Sequence, residues 1–186
     1  MRLLATGSAI RGLPVVTISG GEDVAEVRDL IYDPQAGRVV GLTLNKRGFL
    51  AGRSREVLPA EQIHAIGQDA VMVQDEGSLI LPHDAPADVG EPPSGRDVTG
   101  DEVLTEQGTS LGKVRDVVVL LGSNGEVVGY EIDAASGGTG YIPLPTQLAV
   151  SGSTLIVPEA TKDFVEKDLV GLGATVDDFR SKLSAS

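Results

Sequence analysis

Two histidines, His64 and His83, and no cysteine are all this chain offers as soft metal ligands, thiol nucleophiles or neutral-pH proton carriers. His64 alternates with apolar neighbours in Ile63-His64-Ala65-Ile66, and the sequence clusters no carboxylates around it that could complete a metal site. It reads as a strand histidine, and His83 as an exposed residue opening a proline-rich stretch. Asp29 and Asp116 each follow an arginine, but acid–base catalysis needs two groups converging on one pocket, and these lie in separate parts of a repeat. Both read as acceptors for nearby turn amides. Ser8, Ser19, Ser110 and Ser136 have no nucleophile-elbow surroundings. Gly20-Gly21 and Gly137-Gly138 lack the Lys-Ser/Thr of a phosphate loop. The reading assigns no catalytic residue, no metal ligand and no cofactor, and the expectation is a protein that is not an enzyme.

One segment has a distinct chemistry. Asn45-Lys46-Arg47-Gly48-Phe49-Leu50-Ala51-Gly52-Arg53-Ser54-Arg55 carries four cations and no anion, in a chain of net charge −12. Lys46, Arg47, Arg53 and Arg55 bracket Phe49 and Leu50 between two glycines, as the tip of a long loop would. Such a patch can engage an acidic partner despite the overall charge, because exposed charges are screened beyond about 8 Å at physiological salt. Phe49 would be the desolvated anchor and the cations would raise the association rate. The acidic balance disfavours nucleic acid and anionic membranes over the surface as a whole.

These residues sit on a chain that repeats itself. Val27-Arg28-Asp29-Leu30-Ile31 is echoed 87 positions later by Val114-Arg115-Asp116-Val117-Val118, and Gly37-Arg38-Val39-Val40-Gly41 is echoed 88 later by Gly125-Glu126-Val127-Val128-Gly129. Leu58-Pro59 and Ile142-Pro143 match at an offset of 84. Short, β-branched apolar runs separated by turn residues predict strands near 13–18, 25–33, 38–46, 55–58 and 70–75, and near 102–106, 112–121, 126–134, 140–143 and 153–157. Asp33–Gly37 and Gly122–Gly125 are hairpin turns. The loop matching 45–55 in the second copy, 134–140, is small and neutral.

The spacing gives a first module over 1–80, a second over 99–158, a semi-extended Pro-rich linker over 81–98 and a tail over 159–186. Phe164, Val165, Leu169 and Val170 fall at helical spacing in that tail. Val117-Val118-Val119-Leu120-Leu121 is apolar at five successive positions, which predicts a strand covered on both faces, at the contact between modules or at a homodimer seam. No apolar run approaches a membrane span, and the start resembles no signal peptide, so a cytoplasmic location is expected.

The Val/Gly-rich module with (Val/Leu)-Arg-Asp, then Gly-x-Val-x-Gly, then an apolar residue before proline resembles the PRC-barrel family. Val27-Arg28-Asp29, Val39-Val40-Gly41 and Leu58-Pro59 carry the resemblance in one copy. Gly108, Leu111 to Asp116, Val127-Val128-Gly129 and Ile142-Pro143 carry it in the other. Ala25 departs from it, standing where the second copy has Gly112. The resemblance covers about 145 residues and implies two tandem six-stranded barrels; with the helical spacing of the tail, the expected fold is all-β, two small barrels with a short helical C-terminal tail. It also implies a protein-docking role, as in the cytoplasmic domain of the reaction centre H subunit and the C-terminal domain of the ribosome maturation factor RimM. The expected function is a non-enzymatic adaptor that docks another protein through Lys46, Arg47, Phe49, Leu50, Arg53 and Arg55. The alternative is a small-ligand site between the two modules.

Overall fold

The computed structural model describes residues 2–48, 52–90, 97–145 and 149–185. The chain is mostly β, and the repeat folds into two sheets of the same topology. In the first, β2 (Pro14–Thr17), β3 (Asp23–Asp33), β4 (Arg38–Asn45), β5 (Arg53–Pro59), β6 (Ile63–Ile66) and β7 (Val71–Val73) run in the order β5-β4-β3-β2-β7-β6. In the second, β8 (Glu102–Thr105), β9 (Ser110–Leu120), β10 (Val127–Ala134), β11 (Thr139–Pro143), β12 (Ala149–Ser151) and β13 (Thr154–Val157) run in the order β11-β10-β9-β8-β13-β12. One pair in each sheet, β2 with β7 and β8 with β13, is parallel. The six strands form an open path in each sheet, with no ladder joining its two ends among the described residues. The predicted barrels are therefore seen as six-stranded sheets.

The ten strands read from the apolar runs are all present. Of the three short ones beyond these, β6 carries His64, read as a strand histidine, while β12 and β1 (Leu4–Thr6) escape the reading. β1 precedes the strands of the first sheet yet pairs antiparallel with the second sheet, setting Leu4 opposite Leu120 and Thr6 opposite Val118. A single helical turn, α1 (Gly7–Ile10), follows it and buries Ile10.

Each sheet is extended by a segment that returns over its outer face. After β7 the chain bridges Ile80 to Val57, makes a 3₁₀ turn over Pro82–Asp84, and forms α2 (Ala87–Gly90). After β13 it makes a 3₁₀ stretch over Glu159–Phe164, bridges Glu166 to Tyr141, and forms α3 (Leu169–Ser184). Val89 of α2 packs on Ile31, Val40 and Val57, whereas Leu172 and Val176 of α3 pack on Val118 and Val128. Residues 82–90 are thus helical turns seated on the first sheet, not the extended linker that prolines at this density predicted.

The two helices land on cognate glycines. A Cβ at Gly41 would lie 2.7 Å from Val89 Cγ1, and one at Gly129 would lie 2.4 Å from the Ile142 carbonyl oxygen and 2.9 Å from Leu172 Cδ2. The second glycine of each Gly-x-Val-x-Gly run is the seat for a helix.

The modules share a core: Val39, Leu42, Tyr32 and Ile66 of the first cluster with Val119, Val127 and Tyr130 of the second. The turn after β9 is bonded into the first module, with Gly122 N–H donating to Ile66 O, Ile66 N–H to Ser123 O, and Val39 N–H to Gly125 O. The apolar β9 run is covered on both faces, as predicted. One face looks into the shared core, while α3 covers the other and β1 lies along the edge, so the cover comes from within this chain.

Candidate functional site

The basic segment lies on the β4–β5 connection. Lys46 N–H donates to the Gly52 carbonyl at 2.8 Å, closing the base of the loop. Phe49 and Leu50, the expected anchor, lie outside the described residues. Lys46, Arg53 and Arg55 are exposed and form no ion pair or side-chain hydrogen bond among the described residues. Arg47 differs from them. It donates to Asp23 through Nε and Nη2 and to Glu26 through Nη1 at 3.0 Å, turning back onto its own sheet. The hydrogen bonds to Asp23 raise its guanidinium above the ordinary arginine value, with the charges of Asp23 and Glu26 adding to the effect. The expected four-cation patch therefore presents three free cations and one that neutralises its neighbours. Glu26, Asn45, Lys46, Arg47, Gly48, Gly52 and Arg53 line a depression of about 330 Å³ beside the loop.

The duplication permits a comparison of this end of the sheet with its cognate. Arg115 sits at a register shift of the β9–β10 ladder and faces Glu131 at 3.7 Å and Asp133 at 3.5 Å, and it donates to Thr139 Oγ1 at 3.2 Å. Arg28 sits at the same shift of the β3–β4 ladder. Asp29 pairs with Thr43 as Asp116 pairs with Glu131, and Glu26 pairs with Asn45 as Lys113 pairs with Asp133. Arg53 lies across from Asn45 as Thr139 lies across from Asp133. In the first module the two carboxylates opposite the arginine are thus a hydroxyl and an amide, and the hydroxyl is replaced by a second guanidinium. Arg28 is half-buried and has no ion-pair partner among the described residues.

The repeat marked Arg28 in the sequence, but nothing marked it as part of this surface. The signal lay on the neighbouring strand, in Glu131 and Asp133 of one copy against Thr43 and Asn45 of the other.

The remaining candidates take structural positions. Asp29 accepts from Leu30 N–H and from Arg11 Nε, each at 2.8 Å. Asp116 accepts from Val117 N–H at 2.8 Å and Ser8 N–H at 2.7 Å. His64 is exposed on β6, and His83 is exposed beside Asp84. A second hollow of about 300 Å³ lies between the modules. Leu3, Leu4, Ala9, Leu13, Leu121 and Leu169 supply most of its wall, with Thr6 and Gln68 as polar groups. No helix among the described residues is long and apolar enough to cross a membrane.

No curated protein matches the chain. The family model of the PRC-barrel domain matches residues 5–79 and again residues 94–164. Two sheets of one topology, each carrying the same Arg-Asp shift and the same helix-seating glycine, are what those two matches cover, and the chain belongs to the PRC-barrel domain family.

Proposed function

We propose that the protein is a non-enzymatic adaptor that docks an acidic protein partner on the β4–β5 end of its first module. The observation that carries this reading is the set of exposed cations Lys46, Arg53 and Arg55, unpaired among the described residues of a protein whose net charge is −12. A chain selected only for solubility would spend such groups on its surplus carboxylates, as Arg47 does with Asp23 and Glu26. Rim cations of this kind act mainly on the encounter rate and its salt dependence. A cytoplasmic setting belongs to the same proposal.

The test is capture of the native partner by the full chain and by a Lys46→Ala, Arg53→Ala, Arg55→Ala variant. The variant should associate more slowly, with a flatter dependence on salt, and keep the parent's thermal stability. Equal capture at equal rates would sink the docking role of this hairpin.

The hollow between the modules supports a second reading, a small apolar ligand held by Leu4, Leu121 and Leu169 with Thr6 or Gln68 as its polar contact. In that case the triple variant retains its ligand, and the captured species is a metabolite.

A further inference from the structure

We propose that the partner reaches Arg28 and Arg53 with a pair of carboxylates spaced i, i+2 along an extended segment, and that Thr43 and Asn45 form the floor on which that segment lies. The inference rests on the docking reading and adds to it a recognition residue, Arg28, and a partner motif, Glu-x-Asp.

The protein contains its own template for the interaction. In the second module the arginine at the ladder shift is answered from within the chain by Glu131 and Asp133, two positions apart on one strand. Residues i and i+2 of a strand share a face and stand about 7 Å apart, so one extended segment can present both carboxylates at once. In the first module the arginine is kept and both acids are gone. Glu26, which pairs across from Asn45, and Asp23 are held by Arg47. What remains is a guanidinium without its acid, a second guanidinium at Arg53 where the other module has a threonine, and two side chains, Thr43 and Asn45, able to donate hydrogen bonds to a carboxylate. Lys46 and Arg55 extend the positive rim toward the hairpin. Carboxylates supplied by another chain would restore the arrangement that the second module completes by itself. Charge-assisted bonds of this type are the strong ones, and the guanidinium fork suits a carboxylate better than a point charge would.

The test uses the full chain and a fluorescein-labelled peptide carrying Glu-Thr-Asp in a Gly/Ser background, with a Gln-Thr-Asn peptide as control, read by anisotropy at low and physiological salt. The parent should bind the acidic peptide, ignore the amide control and lose affinity as salt rises. A Thr43→Glu, Asn45→Asp variant writes the second module's acids into the first. It should bind the peptide about tenfold more weakly or worse, the loss expected when one charged hydrogen-bonded contact is removed. Its melting temperature should match or exceed the parent's, since the acids gain an arginine. Arg28→Gln should weaken binding similarly.

No binding by the parent, equal binding of the control, or undiminished binding by both variants would overturn the proposal. If both variants bind undiminished while Lys46→Glu with Arg55→Glu abolishes binding, the hairpin still docks acidic partners and the Arg28 face is not where they sit. If no variant matters, the docking reading falls with it.

Discussion

Tyr32 and Tyr130 meet hydroxyl to hydroxyl at 2.5 Å, with their rings edge-on and their centroids 6.1 Å apart, where the two modules share a core. Each buried hydroxyl is the other's partner, so removing one strands the remaining group. Tyr130→Phe should destabilise the chain by about 1–3 kcal/mol, and the double Tyr32→Phe, Tyr130→Phe variant should lose less than the sum of the single losses. Urea unfolding of the three variants measures this. The pair also sets an alkaline limit. Burial raises both phenols above the ordinary value of 10, and Tyr32 raises Tyr130 further. Above that pH the unfolded chain gives up its phenolic protons while the folded chain keeps them. The stability from this pair is complete below about pH 10 and declines as pH rises beyond it. A pH series on the double variant should show a shallower alkaline decline than the parent.

At the scale of elements, the recurring unit is longer than the strands that announce it. A returning segment bridges the β5 or β11 strand and sets a helix on Gly41 or Gly129. Gly129→Ala pushes a methyl group into the Ile142 carbonyl and Leu172, and should cost about 1–3 kcal/mol in a thermal or denaturant melt. The same change at Gly41 meets Val89 at the end of a four-residue helix and the Leu58 carbonyl oxygen at 3.0 Å, a looser fit than the 2.4 Å at Gly129, and should cost less.

The strands were readable because Val, Ile and Leu alternate or run together between glycine turns, and ten of thirteen followed from that signal alone. β1 and β12 were not, because three residues carry too little periodicity and their pairing is decided by distant neighbours, and β6 showed only in the alternation around His64. The cover over the first sheet was hidden for a different reason. Prolines at 82, 86, 92 and 93 mask the helical turns at 82–90, and only Val89, with Ala85 beside it, does the packing there. For the candidate site, the charges of Lys46, Arg53 and Arg55 were legible, while the engagement of Arg47 by Asp23 and Glu26 was not. Those acids lie more than 20 positions away, and only the ladder brings them near.

Across the whole molecule, the two modules are tied by the turn 122–125 bonded to Ile66 and Val39, by the tyrosine pair, by the Ser8 N–H bond to Asp116 and by β1 laid on β9. Arg2 adds an ion pair to Asp177 of α3 at 2.7 Å. Deleting residues 2–6 therefore removes cover from the second module although those residues precede the strands of the first. Hydrogen exchange should show faster exchange at Val118 to Leu120 and along α3, with the β3–β4 amides little changed. Uniform acceleration across both modules would mean that β1 stabilises the shared core rather than one side of it.

The placement of β1 also orders events during synthesis. Leu4 to Thr6 leave the ribosome more than a hundred residues ahead of their partners Val118 to Leu120. At ordinary elongation rates that delay is roughly 5–25 seconds. Throughout it the first module can complete its own six-strand sheet while an apolar stub, Leu3-Leu4-Ala5, waits in solvent for an edge that does not yet exist. The nascent chain thus carries a temporary adhesive segment, and synthesis of β9 in the second module covers it.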